Sequence, residues 1–151
     1  MELCRELSAI AANVAGMRAS GTFEVANFTP APVPPGDVKT AVPVGVATMT
    51  KTFAGEVSGR SSTLFTAAYD QATGVGTYVA MESFEGAIGG LEGALNFAHS
   101  ATTLGDDRSA EFFVIVPGSG TGDLAGLVGA GGLTIDADGT HRVWFDYEKP
   151  S

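Results

Sequence analysis

The feature that most limits the fold of this chain is a pattern that occurs twice. In both copies Phe, Gly, an aliphatic residue and Gly stand at every second position. The copies are Phe53-x-Gly55-x-Val57-x-Gly59 and Phe84-x-Gly86-x-Ile88-x-Gly90. Residues two apart in a β-strand lie on one face of the sheet, and glycine inside a strand lets it bend and coil. The pattern therefore predicts strongly curved strands, as the wall of a closed barrel requires.

The rest of the chain also has a β pattern. Seven runs, two of which overlap the repeated pattern, are rich in alternating, β-branched or aromatic residues: Val46–Val57, Ser62–Tyr69, Thr77–Ile88, Ala94–Ser100, Glu111–Val116, Gly131–Ile135 and Arg142–Tyr147. Turn residues such as Asp70–Gly74 separate them, and a first strand is expected at about residues 21–28. We predict an all-β fold, a single closed antiparallel β-barrel of about eight strands, with an open sandwich as the alternative.

The first 20 residues follow a helical pattern instead. Their apolar residues recur at spacings of three and four, on one face of a helix: Leu3, Leu7, Ile10, Val14 and Met17. We predict a short N-terminal helix in a leader of residues 1–20, outside a β-barrel domain of residues 21–151. The helix is a lid or a mobile leader in one interpretation and a dimerisation seam in another. A homo-oligomer is therefore one of the alternatives.

A proline-rich segment joins the first two predicted strands. Residues 29–45 hold five prolines, which donate no backbone hydrogen bonds and do not continue a helix. We expect a loop that is long enough to fold over one mouth of the barrel.

Charge and cysteine content exclude several classes of function. Eight Lys and Arg stand against 17 Asp and Glu, and the net charge of -9 repels nucleic acid and anionic membranes. A single cysteine, Cys4, cannot form an internal disulfide and fits a reducing compartment. The sequence shows neither a signal peptide nor a membrane-spanning run. We expect a cytoplasmic protein with no nucleic-acid or membrane partner.

The repeated pattern also places two opposite charges at equivalent positions. Lys51 stands two residues before Phe53, and Glu82 stands two residues before Phe84. If the two strands are equivalent, both charges lie on the same face at similar heights. We predict an ion pair in the barrel interior, either a structural tie or a functional acid and base. The alternative is that this face points outward and both residues are solvated.

Further candidates lie on neighbouring strands. His99 shares a face with Phe97 and is either a core histidine or a general acid or base. Glu24 is either a surface carboxylate or part of the interior. The candidate catalytic residues are therefore Glu82, Lys51, His99 and Glu24. The candidate ligand-binding residues are Tyr78, Met49, Phe53, Phe84, Asn96 and Phe97, although Asn96 lies on the face opposite to His99.

Motifs for metals and phosphates are incomplete. Two histidines without close His or Cys spacing do not make a zinc site, and the acidic turns are not a complete calcium loop. The segment 118–122 lacks the Lys-Ser or Lys-Thr and the helix of a phosphate-binding loop. We expect no metal and no cofactor.

Six short motifs, in order along residues 20–148, resemble the family catalogued as domain of unknown function 3224. They are Gly21-Thr22-Phe23-Glu24-Val25, Thr50-Lys51-Thr52-Phe53-x-Gly55, Tyr78-Val79-x-Met81-Glu82-x-Phe84-x-Gly86, Phe97-x-His99-Ser100, the segment from Val116 to Gly126, and Phe145-Asp146-Tyr147. That family resembles allene oxide cyclase barrels and shares a Gly-Thr-Gly, Leu-x-Gly pattern with dirigent proteins. The resemblance implies a barrel that steers a reactive intermediate in an apolar cavity without a cofactor, and it matches Glu24 to a carboxylate of the cyclases.

Three functions follow as alternatives. The first is a cofactor-free isomerase or cyclase that acts on a small apolar substrate in the cavity, with a proton moved by Glu82, Lys51 or His99. The second is a lipocalin-like carrier, and the third is a structural barrel with a filled core. Small residues expected to line the interior favour a cavity: Gly55, Gly59, Ala80 and Gly86.

Overall fold

The computed structural model describes residues 16–149 as one closed antiparallel sheet of eight strands. The strands are β1 (Met17–Ala31), β2 (Val44–Gly55), β3 (Val57–Asp70), β4 (Val75–Ile88), β5 (Leu91–Leu104), β6 (Asp107–Ile115), β7 (Val128–Ile135) and β8 (His141–Glu148). Each strand pairs with the next, and β1 pairs with β8, so the sheet closes into a barrel. The all-β fold and the eight strands are confirmed, and the open sandwich is wrong.

The start of β1 corrects the predicted leader. Residues Met17–Phe23 pair with β8 and complete the ring, so the prediction of a helix reaching residue 20 is wrong for residues 17–20. Pairing with β8 outweighs the helical spacing there, and Met17 remains exposed. Residues 1–15, which hold the rest of the predicted helix and Cys4, lie outside the described residues.

Helical structure within residues 16–149 is limited to one short 3₁₀ turn, Gly122–Leu124. In that range, no helix has the length and apolar character needed to cross a lipid bilayer.

Side chains fill much of the barrel interior. Alternate residues of each strand point inward, and those near the β2–β3 and β4–β5 turns form a continuous aromatic and aliphatic core. Its members include Phe23, Phe53, Val57, Phe84, Ile88, Leu95, Phe97, Phe113, Phe145 and Tyr147. Burying a side chain of this kind stabilises a fold by about 1.5–3 kcal/mol. This end of the barrel is therefore a packed core.

Glycines inside the strands let neighbouring strands approach each other closely. Gly59 and Gly86 face each other across β3 and β4 with φ of 135° and 152°. A Cβ on Gly86 would lie 2.0 Å from the carbonyl oxygen of Ser58. The prediction that glycine shapes a curved wall agrees with this geometry. The expectation that Gly59 and Gly86 line an interior cavity is wrong, because their Cα atoms are packed against the neighbouring strand and they line an outer groove with the exposed Arg60 and Glu85.

The wall is least regular where β6 meets β7. Only Val114 and Ala130 pair there, whereas β3 and β4 pair along their whole length. In β6, Ala110 has a φ of 51°, and the register against β5 shifts between Ser100 and Thr102. Such a bulge bends a strand away from its neighbour. The result is a cleft between β6 and β7, beside the inner face of β5.

Candidate functional site

Lys51 and Glu82 form the buried ion pair predicted from the repeat. Lys51 lies on the inner face of β2 and Glu82 on that of β4, with β3 between them. The Lys51 Nζ lies 2.6 Å from Glu82 Oε2, and the two side chains are 6% and 1% exposed. The ammonium also lies 5.1 Å from the ring centre of Phe23. The inward orientation is thus confirmed, and the solvated alternative is wrong.

Strand β3 supplies two hydroxyl groups to the same carboxylate. Ser61 Oγ donates to Glu82 Oε1 at 2.6 Å, and Thr63 Oγ1 donates to that oxygen at 3.1 Å. Sequence reasoning missed both residues, although their spacing of two on the strand between Lys51 and Glu82 was a usable signal. A buried charge is tolerated when it is paired and hydrogen-bonded, and Glu82 meets both conditions.

The surroundings of Glu82 set its protonation state. Burial alone would raise its pKa, but the hydrogen bond from His99 and the positive charge of Lys51 lower the pKa to about 2. Glu82 is therefore ionised at neutral pH and is a weak base. Its chemical role is to hold its neighbours in place.

His99 connects this carboxylate to Tyr78. The His99 Nε2 lies 2.5 Å from Glu82 Oε2, and its Nδ1 lies 2.9 Å from the Tyr78 hydroxyl oxygen. Arg108 Nη2 donates to the same hydroxyl at 2.7 Å. Because the Tyr78 oxygen accepts from Arg108, its single hydrogen is free to point at His99 Nδ1, and the Nε2 hydrogen points at Glu82. The hydrogen bonds then all run in one direction, from Arg108 to Glu82.

The pKa directions agree with this arrangement. Burial lowers the pKa of His99 more than the hydrogen bond to Glu82 raises it, so the ring is neutral at neutral pH. Burial also raises the pKa of Tyr78, against the opposing effect of Arg108. The resting site holds a protonated phenol facing a neutral imidazole.

Arg108 enters the site because of the irregularity in β6. Its Nε donates to Glu111 Oε1 at 2.5 Å, and its guanidinium carbon lies 5.4 Å from the ring centre of Tyr78. Sequence reasoning missed Arg108 and Glu111, and no local signal marks the bulge, since Ala110 is not a residue type typical of positive φ. The bulge brings Arg108 to the open end of the hydrogen-bond chain.

The cleft between β6 and β7 leads to this end of the chain. It holds a pocket of about 90 Å³ whose lining includes His99, Arg108, Glu111, Gly131 and Trp144. Arg108 is partly exposed here, with a side-chain exposure of 25%. A small molecule in the cleft would therefore meet the polar end of the buried chain.

A second, larger pocket lies at the barrel end next to the proline-rich loop. It has a volume of about 340 Å³ and an uncharged lining that includes Phe28, Pro30, Pro43, Phe65 and Tyr69. The expectation that this loop lies at a barrel mouth agrees with the positions of Pro30 and Pro43. Phe65 stacks on Tyr78 with ring centres 5.2 Å apart. The Phe65 ring thus lies between this pocket and Tyr78.

The remaining predicted residues are divided among the core, the interior and the outer surface. Phe53, Phe84 and Phe97 belong to the packed core, and Met49 is buried beside Lys51 on β2. Asn96 points outward, where its Nδ2 donates to Ser83 Oγ at 3.0 Å and to the Glu82 carbonyl at 3.2 Å. Glu24 is exposed on β1, one residue after inward-facing Phe23.

Asn96 and Glu24 therefore do not share the interior with the other candidates. In both strands the period of two fixes the outward direction. The structure brings together Lys51, Glu82, His99 and Tyr78 from the predicted set.

Comparison with known proteins identifies relatives but no activity. The family described as "Protein of unknown function (DUF3224)" matches residues 19–147. The fold is similar to the crystal structure of a protein of unknown function from the DUF3224 family of Shewanella oneidensis MR-1, with 28% sequence identity and a TM-score of 0.77. The match covers 89% of this chain and 98% of that one. No curated protein matches the sequence.

Proposed function

The chain belongs to the DUF3224 family, and we propose that it is a cofactor-independent acid–base enzyme of the isomerase or cyclase class. Its substrate is a small, largely apolar molecule with a carbonyl group, bound in the cleft between β6 and β7. The observation that carries this proposal is the one-directional hydrogen-bond chain from Arg108 through Tyr78 and His99 to Glu82. The resemblance to allene oxide cyclase barrels agrees with this class.

Tyr78 does not itself line the cleft, but its hydroxyl contacts two residues that do, His99 and Arg108. In this proposal a substrate reaches the hydroxyl between them, and Tyr78 is the group that reacts with it. Its oxygen takes a proton from a carbon beside the carbonyl group while the phenol hydrogen passes to His99 Nδ1. Glu82 stabilises the resulting imidazolium, as the carboxylate does in a Ser-His-Asp triad. The raised pKa of Tyr78 and the lowered pKa of His99 keep both groups neutral until a substrate is present.

The second half of the reaction restores the site. Tyr78 returns a proton to a different carbon of the substrate, and His99 returns its proton to Tyr78. The net change is a proton shift that moves a double bond, and no group of the protein is altered. Lys51, Ser61 and Thr63 are positioning residues, because they hold the Glu82 carboxylate that orients His99.

A conversion assay tests the proposal. The substrates are small β,γ-unsaturated ketones, whose conjugated isomers absorb in the ultraviolet. We expect Tyr78→Phe to lower kcat/KM by about 10²-fold or more, the typical contribution of a general acid or base. Tyr69→Phe is the matched control, because Tyr69 lies on the neighbouring strand β3 and is exposed. Equal rates for the wild type and Tyr78→Phe across the whole panel would overturn the proposal.

The alternative is a carrier without catalysis. It is favoured by the uncharged pocket of about 340 Å³, a volume within the range of ordinary ligand sites. In that case an apolar fluorescent probe binds, Phe65→Ala weakens its binding, and Tyr78→Phe leaves both binding and the absence of turnover unchanged.

A further inference from the structure

We propose that the substrate carries a carboxylate, which Arg108 binds in the cleft by displacing Glu111. This inference rests on the proposed function, since it names the substrate class of the same site. A guanidinium group has five N–H donors. Within the described residues Arg108 uses its Nε on Glu111 and its Nη2 on Tyr78, which leaves donors for a ligand.

The position of Glu111 suits a displaceable partner. Its side chain is 50% exposed and lies three residues from Arg108 on the same strand. An ion pair at such exposure adds little stability in water. A carboxylate brought by a ligand can take the place of Glu111 on Arg108, and Glu111 can turn to the solvent.

The size and charge of the pocket define the ligand further. A volume of about 90 Å³ holds roughly three waters, which is room for a carboxylate and one or two carbons. The apolar remainder would extend out of the pocket past its apolar lining residues Phe113, Leu133 and Trp144. Among the described lining residues Arg108 carries the fixed positive charge, while the chain has a net charge of -9. Anion binding at this place therefore depends on Arg108.

The test compares two probes of equal length, sodium hexanoate and hexanol, by calorimetric titration. We expect hexanoate to bind the wild type and Arg108→Gln to weaken that binding at least tenfold. Glu111→Gln should strengthen hexanoate binding several-fold, because the competing carboxylate is gone. Hexanol binding should stay unchanged in both variants.

The pair Arg60 and Glu85 provides matched controls. It is also an Arg–Glu contact at 2.5 Å, but it lies exposed on the outer wall. Arg60→Gln changes the net charge by the same amount as Arg108→Gln, and Glu85→Gln by the same amount as Glu111→Gln. Both control variants should leave hexanoate binding within about twofold of the wild type. Equal effects of the two Glu variants would reduce the result to general electrostatics and overturn the inference.

The outcomes separate the inference from the proposed function. Equal affinity for hexanoate and hexanol, or weaker hexanoate binding by Glu111→Gln, overturns the carboxylate inference while turnover of neutral ketones still supports the enzyme. If hexanoate binding depends on Arg108 but no turnover depends on Tyr78, carboxylate binding by Arg108 is supported and the proposed enzyme activity is overturned. Thermal melting checks that Arg108→Gln is folded, and Glu111→Gln decides the question if it is not.

Discussion

Lys51 and Glu82 meet across an intervening strand, with Nζ 2.6 Å from Oε2 although the residues are 31 positions apart. Strand β3 separates β2 from β4, and both side chains reach over it on the inner face. There Ser61 and Thr63 complete the hydrogen bonding of the carboxylate. The ion pair thus ties three strands together, and the same carboxylate orients His99. Stability and the proposed function therefore depend on one group.

Replacing Lys51 with Met should destabilise the protein by about 3–5 kcal/mol, because Glu82 would remain buried without its cationic partner. The carboxyl should respond with a raised pKa. The double variant Lys51→Met with Glu82→Gln should recover much of the loss, since no buried charge then remains uncompensated. Urea unfolding of the four proteins in this cycle measures the coupling directly.

Arg60→Met is the control for that cycle. Arg60 and Glu85 form an ion pair between the adjacent strands β3 and β4, and their side chains are 77% and 60% exposed. Exposed pairs contribute about 0–1 kcal/mol. A loss in Lys51→Met no larger than that in Arg60→Met would contradict the interpretation that the buried pair ties the strands together.

Acid should unfold the protein partly through Glu82. Its pKa is 4.5 in the unfolded chain and about 2 in the folded one. A depressed folded pKa means that the unfolded chain binds the proton first. The stabilisation is therefore complete above pH 4.5 and is lost as the pH falls to about 2, amounting to roughly 3 kcal/mol. Unfolding free energies across this window should decline less in Glu82→Gln, and parallel curves for the two proteins would contradict the prediction.

His99 should produce a separate decline at milder pH. Its folded pKa is below the ordinary value of 6.5 because of burial, so the unfolded chain holds one more proton between the two values. Stability rises with pH wherever the unfolded state binds more protons, and it should therefore begin to fall below pH 6.5. His99→Gln should remove this slope. His141→Gln, which changes the only other histidine, should retain it.

The buried pair could be predicted from the sequence because it depends only on local rules. A strand has a period of two, and the repeat fixes the phase of β2 and β4 relative to each other. The inward direction of His99 follows in the same way from Phe97. For Glu24 the same rule was available, since Phe23 is an apolar neighbour, and taking Phe23 as inward would have placed Glu24 on the surface.

The outer part of the site could not be predicted, because it depends on long-range geometry. Arg108 reaches Tyr78 only through the bulge at Ala110 and the changed register between β5 and β6. The cleft exists because β6 and β7 pair at a single position. Neither feature leaves a pattern in residue types along the chain.

The close approach of β3 and β4 gives a last prediction, on the shape of the barrel. Gly59 has a φ of 135°, and a Cβ there would lie 2.2 Å from the Glu85 carbonyl oxygen and 2.7 Å from the Gly86 Cα. Both are backbone atoms, so the clash cannot be relieved by turning a side chain. Gly59→Ala should therefore destabilise the protein by more than the ~1–3 kcal/mol typical of backbone strain alone.

Gly45→Ala is the matched control on β2, where a Cβ meets no atom within 4 Å. It should change the free energy of unfolding by no more than about 0.5 kcal/mol, as measured by urea unfolding. Equal stability of the two variants would mean that the strands are farther apart at Gly59 and that the wall is less tightly coiled.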